Sequence, residues 1–346
     1  MVDQSNEEIR KIQFTGNSTY TISLPKKWVT SLGLKAGSQL IIFQQNNSLI
    51  LTPKEMVKPP APIEAIINIS GKDNLDKIMR EIVALYLVGY NFIKVRVKDG
   101  HISSLQRNAI KELTRKKLVG TEIVSESLNE IKLQILLSYP ELSVENALKR
   151  MCLIATSMHE DAIQALKDLN KELAKEVIQL DDEVDRFSFY IVRQLKSAVQ
   201  NEKVLKDIGL SNPRDCLGYR VIVKSVERIA DHAVKIAENI LLLEEKPNDT
   251  ICQKLFEMSI LARSIFENSI KSLFKKDYLL ADQVVSKAKT IVTLESELIK
   301  EIYLKTEKVN VSSIRMIMES IRRTAEYASD IAEIVLNLSV NQIITM

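Results

Sequence analysis

The sequence predicts a multidomain protein: a small β-rich head, a small α/β middle domain and an all-α C-terminal region of two three-helix repeats. Three observations carry this. Residues 1–55 alternate polar and apolar positions and are punctuated by Gly and Pro. Residues 63–137 switch between strand-like and helix-like periods. From 141 to 340, apolar residues recur every three or four positions with little glycine, and the pattern repeats.

The head spans 1–55. "IRKIQF" (9–14) and "TYTISL" (19–24) read as strands joined by a turn at "GNS" (16–18), with Tyr20, Ile22 and Leu24 on one face. Pro25 has no amide hydrogen for a ladder and suits the first turn of a helix, so a short helix is expected over Lys26–Ser31. Gly33 can end that helix in a left-handed cap. "SQLIIFQQ" and "SLILTPK" form a hairpin across Asn46 and Asn47. So few residues cannot bury a large core alone, and pairing with a second copy is the usual remedy. Residues 1–58 hold seven Lys and Arg against four Asp and Glu, a net of +3 that equals the net charge of the whole chain. That excess favours an anionic partner for the head. Arg10, Lys11, Lys26 and Lys27 flank the strands, with Thr15, Asn17 and Ser18 at the turn. As a bare charge cluster this is a solvated face, but such a set can also hold phosphates and reach base edges.

A proline-rich linker, "VKPPAP" (57–62), leads to the middle domain at 63–137. Strands are expected at "IEAIINIS", "NFIKVRVKD", "VGTEIVSES" and "EIKLQILLS", with helices at "NLDKIMREIVALYLVG" and "SSLQRNAIKELTRKK". It contains no phosphate loop and no G-x-G-x-x-G, so a spacer or dimerisation module is its plainest reading.

The helical region falls into copies at 141–244 and 250–340. "LKRMCLIATSMHEDAIQALKDL" (148–169) aligns with "LFEMSILARSIFENSIKSLFKK" (255–276) at an offset of 107. The offset falls to 95 where "SVERIADHAVKIAE" (225–238) meets "SIRRTAEYASDIAE" (320–333), as a longer connection at 201–215 in the first copy would produce. Two acidic pairs stand out in that first copy: Asp181 with Asp185, and Glu227 with Asp231. Spacing of i, i+4 puts both members on one helix face, with Cβ atoms roughly 5–6 Å apart. Two such pairs on facing helices would offer four hard oxygen ligands to iron, manganese or magnesium, with zinc also admissible. Each pair alone is also an ordinary solvated face. The second copy carries Ala288, Val292, Arg322 and Glu326 at the matching positions, so any metal is expected in the first repeat only.

The chain has three cysteines, Cys152, Cys216 and Cys252, without C-x-x-C spacing, and no apolar run of membrane-spanning length. With a polar, acidic start, it reads as a cytoplasmic protein with no transmembrane segment and no secretory signal. His101, His159 and His232 show no metal spacing with one another. No nucleophile–base arrangement can be argued, so an enzyme is not expected.

The run 16–40, with its S-L-P-K-K-W and L-G-L-K-A-G elements, resembles the AbrB/SpoVT/MazE family of DNA-binding domains. The resemblance implies a swapped-hairpin homodimer in which two chains complete one small barrel, its basic face on DNA. "VERIADHAVKIAENI" (226–240) and "LDDEVD" (180–185) resemble PhoU, the phosphate-uptake regulator. That resemblance implies metal binding through Asp181, Asp185, Glu227 and Asp231, regulation of phosphate homeostasis, and contact with a phosphate ABC transporter or its signalling partner. The joint expectation is a dimeric DNA-binding regulator of phosphate uptake. The alternative is a non-transcriptional adaptor that docks on the transporter and uses its head only to dimerise.

Overall fold

The computed structural model describes residues 8–16, 18–45, 47–56, 62–137, 142–305 and 311–344. The chain divides into two compact units, 1–61 and 62–346.

In the first unit, β1 (Gln13–Thr15) pairs antiparallel with β2 (Thr19–Thr21), α1 spans Lys26–Ser31, and β3 (Leu40–Gln45) pairs antiparallel with β4 (Ser48–Pro53). The helix and the second hairpin fall where the sequence places them. Gly33 takes φ +64, as a left-handed cap requires. The first two strands are shorter than the sequence suggests. A ladder needs a partner strand, and within this chain the two strands pair only over 13–15 and 19–21. The two hairpins stay separate sheets. Asn17, Asn46 and most of the proline-rich linker (57–61) lie outside the described residues.

The second unit begins with β5 (Glu64–Ile69), α2 (Leu75–Val88), β6 (Phe92–Val97), α3 (Ser104–Lys117), β7 (Thr121–Glu126) and β8 (Glu130–Ile135). The sheet order is β5-β6-β8-β7, with β5 and β6 parallel and the other pairs antiparallel. Alternation buries Ile67, Ile69, Ile93, Val95, Val97, Ile131, Leu133 and Ile135 against Ile78, Ile82 and Tyr86 of α2 and Ile110 of α3. The helices are locally encoded. The Asn74 side chain accepts from the Asp76 amide to start α2, and Ser103 with Gln106 forms a capping box at α3.

The bundle follows as α4 (Val144–Asp168), α5 (Lys171–Gln200), α6 (Glu202–Asp207) and α7 (Asp215–Leu242), then α8 (Asp249–Lys275), α9 (Tyr278–Ala288), α10 (Ile291–Lys305) and α11 (Val311–Leu338). The repeat shows in the backbone. Leu169 and Lys276, 107 positions apart, end α4 and α8 in the left-handed region at φ 47 and 52. A non-glycine residue there is strained, and both copies retain it. Asn170 and Asp277 then cap α5 and α9. Two departures from three simple helices occur. The longer first connection folds a short helix, α6, capped by the Asn201 side chain. The helix matching α5 breaks into α9 and α10 at Lys289–Thr290, the positions equivalent to Asp182 and Glu183.

The sheet layer and the bundle meet at α5. Arg193 is buried there. Its guanidinium donates to the Tyr86 carbonyl and, at 3.2 Å, to that of Gly89, and it stacks 5.0 Å from the centre of the Tyr86 ring. Lys117, the last residue of α3, reaches α5 as well.

Candidate functional site

The candidate binding residues of the sequence fall in two places, one in each unit. In the head, Arg10, Lys26 and Lys27 line an open groove of about 670 Å³ together with Glu8, Thr30 and Ser31. The Arg10 guanidinium pairs with the Glu8 carboxylate. Lys26 and Lys27, in the first turn of α1, are exposed and make no ion pair among the described residues. Lys11, Thr15 and Ser18 are exposed but do not line the groove, and the Thr15 hydroxyl lies 3.2 Å from that of Thr21. Asn17 lies outside the described residues.

The head also leaves its apolar side chains in water. Tyr20 is 73% exposed, Leu49 64%, Phe14 59% and Ile42 59%, and α1 buries no residue at all. Side chains of this kind normally form a core, so their exposure on two unjoined hairpins is unusual.

In the bundle, α5 carries Asp181 and Asp185 while α7 carries Glu227 and Asp231. The helices pack so that Asp185 and Asp231 act on Asp181, and Asp231 and Asp185 on Glu227. Burial, then the charges of Asp185 and Asp231, push the Asp181 carboxyl up to about 7. Burial raises Glu227 and Asp231 above the usual carboxylate range, with nearby acidic charges adding to it and Lys224 opposing it in both cases. One Asp181 oxygen, Oδ1, is buried without a hydrogen-bond partner among the described residues. The set is partly neutralised. Lys117 Nζ lies 2.9 Å from Asp182 and 2.8 Å from Asp185, and Lys224 Nζ lies 2.7 Å from Glu227. Burial disfavours the Lys117 ammonium, but its hydrogen bonds to Asp185 and Asp182 outweigh that and raise its pKa.

Sequence reasoning brings the four carboxylates together on facing helices but misses Lys117. It closes a "RKK" run 68 residues before Asp185, and no periodicity connects the two. Among the described residues, no three His, Cys, Asp or Glu side chains converge closely enough to hold a metal ion as they stand. The chemistry of the donors nonetheless fits a hard cation: oxygen ligands, raised proton affinities and an unsatisfied Asp181 oxygen.

The matching place in the second repeat is built differently. Arg322 stands where the first has Glu227. Its guanidinium lies 3.0 Å from Glu295 of α10 and pairs with Glu326, while Arg323 also lies 3.0 Å from Glu326. A fixed cation there already balances the acids. His232 follows Asp231 on α7, and its ring lies 5.7 Å from that of Tyr327 on α11. His159 and His232 are buried, each with Nδ1 unpartnered among the described residues, and His159 Nε2 meets the Ser259 hydroxyl at 2.8 Å. His101 is exposed.

A PhoU domain profile matches residues 148–240 and 255–335, about half of the chain and both helical copies. The chain belongs to the PhoU family. A second profile, "Antidote-toxin recognition MazE, bacterial antitoxin", matches residues 13–59. The phosphate-specific transport system accessory protein PhoU homolog of Aquifex aeolicus is 30% identical over 167 residues, covering 47% of this chain and 71% of the relative. The PhoU homolog 1 of Thermotoga maritima is 24% identical over 196 residues, covering 54% of this chain and 80% of the relative. In fold, the chain resembles the phosphate transport system regulatory protein PhoU of Streptococcus pneumoniae with a TM-score of 0.50 and 21% identity, over 59% of this chain and 96% of that one. PhoU of Pseudomonas aeruginosa gives 0.51 and 22%, over 57% and 96%. The PhoU bundle is thus coupled here to a head and an α/β layer. Among the described residues, no helix is long and apolar enough to cross a membrane.

Proposed function

We propose that this PhoU-family chain is a regulator of phosphate transport that acts through DNA. Its head binds DNA as a homodimer, and its bundle takes a metal ion at the acidic seam. The relatives named for phosphate transport support the first part. The observation that carries the DNA reading is the head's bare apolar set beside two uncommitted lysines, in a segment that matches the MazE antitoxin profile. A second copy would cover the apolar side chains and double the cationic face, and a doubled charge strengthens phosphate contact.

The test is Lys26→Glu with Lys27→Glu. The variant should lose retention on DNA cellulose and keep the dimer mass by sizing with light scattering. Wild-type retention should fall steeply with salt as counterions are released. Equal retention of wild type and variant would defeat the DNA reading.

Asp181, Asp185, Glu227 and Asp231 would hold the metal, which would neutralise the seam and fix α5 against α7. Lys117 must release Asp185 for all four to serve. Asp181→Ala with Asp231→Ala should lower metal content by elemental analysis, and equal content would remove the site.

A second reading is an adaptor that docks on a phosphate transporter and only dimerises through its head. The relatives favour it, because they are named as transport accessory proteins. Sequencing DNA co-purified from phosphate-rich and phosphate-starved cells separates the two: specific enrichment supports the regulator, and its absence the adaptor.

A further inference from the structure

Where the α/β layer meets the bundle, α3, β7 and α5 line a half-open polar pocket of about 300 Å³, at the lower end of small-molecule sites, with Arg115 and Glu122 exposed at its wall. Thr114, Arg115, Gly120, Thr121, Glu122 and Arg186 contribute to its wall. Arg115 makes no hydrogen bond or ion pair among the described residues. Arg186 has only a long contact, 3.6 Å, with Glu183 on its own helix. The Thr121 hydroxyl is buried and has no partner among the described residues. Gly120 holds the tight turn into β7 at φ +67, and a Cβ there would fall 2.5 Å from Leu137 Cδ2.

The adjoining charges are already matched. Lys117 is spent on Asp182 and Asp185, and Lys116 on Glu112 at 2.6 Å. Cations in the last turn of α3 also complement its dipole. That accounts for Arg115 but not for Arg186 on another helix, nor for the unsatisfied hydroxyl on a strand. Glu122 is the one carboxylate on the wall, set against two guanidiniums.

We propose that this cavity binds a small tetrahedral oxyanion, as inorganic phosphate or as the phosphate of a monoester. Arg115 and Arg186 bind the oxygens through their forked donors, and the Thr121 hydroxyl donates a third hydrogen bond. Guanidiniums suit phosphate geometry, and donors from three separate elements converge on a tetrahedral group better than on a planar one. The proposal stands apart from the DNA and metal readings, because no residue of those sites takes part.

Isothermal titration calorimetry on the full chain tests it, with inorganic phosphate, sulfate and glycerol 3-phosphate as probes. Wild type should bind one anion per chain. Arg115→Gln and Arg186→Gln should each weaken binding about tenfold, with loss in the double variant. Thr121→Val should weaken it while circular dichroism and the unfolding temperature stay unchanged. Tighter binding of the monoester than of phosphate would assign the ligand to a phosphorylated metabolite, and the reverse to the free ion; both support the site. Lys26→Glu with Lys27→Glu, and Asp231→Asn, should bind like wild type. No binding at millimolar concentrations of any probe overturns the proposal. So does wild-type affinity in the double arginine variant, or loss confined to the head or Asp231 variants.

Discussion

Asp181→Asn removes the charge that the acidic seam tolerates least. An unfolded aspartate titrates near 3.8, whereas burial and the charges of Asp185 and Asp231 hold this one at about 7 when folded. The folded state therefore binds the proton more tightly than the unfolded state. Below about pH 4 the carboxyl is protonated in both states and costs nothing. As pH rises from about 4 to about 7, the unfolded chain ionises freely while the folded one resists, and stability falls. The gap corresponds to about 4 kcal/mol as an upper bound. The carboxyl is only partly buried, so solvent screening brings the figure to about 2 kcal/mol. Asparagine has no such penalty. In EDTA, urea unfolding followed by helical circular dichroism should show the variant about 2 kcal/mol more stable than wild type at pH 8 and equal to it at pH 4. In saturating metal the order should reverse, because only wild type gains binding energy in the folded state. Parallel pH profiles for the two proteins, or a variant less stable than wild type at pH 8 in EDTA, would refute this account of the seam.

Other outcomes follow from the packing. Arg193→Met should cost about 2–4 kcal/mol in urea unfolding, because two carbonyls at the end of α2 lose a charged donor. Gly120→Ala should cost about 1–3 kcal/mol, combining the left-handed backbone with crowding against Leu137. Ile42→Asp, on a side chain that is bare within one chain, should shift the protein from dimer to monomer by light scattering and leave the bundle's helical signal intact.

Local order was legible in the sequence because local chemistry specifies it. Pro25 and Gly33 bracket a six-residue helix where they should. Ser103 and Gln106 announce α3, and the 107-residue offset appears as matching left-handed caps at Leu169 and Lys276. The i, i+4 acids necessarily share a helix face. Apolar periodicity alone was enough to class the last two hundred residues as a bundle.

What required the tertiary structure is whatever joins residues far apart in the chain. Periodicity describes one element at a time and carries no information about which elements meet. Lys117 meeting Asp185, Arg193 capping the end of α2, Glu295 balancing Arg322, and two arginines with a threonine around one cavity all depend on packing between helices and strands. The break between α9 and α10 belongs here too, at the place where the second copy lacks the acidic motif. The sequence by itself determined most of the elements, the repeat and the spacing of the acidic pairs. Only packing decided which charges neutralise one another and which stay unpaired among the described residues, because Coulomb and hydrogen-bond energies depend on distance and burial, not on order along the chain.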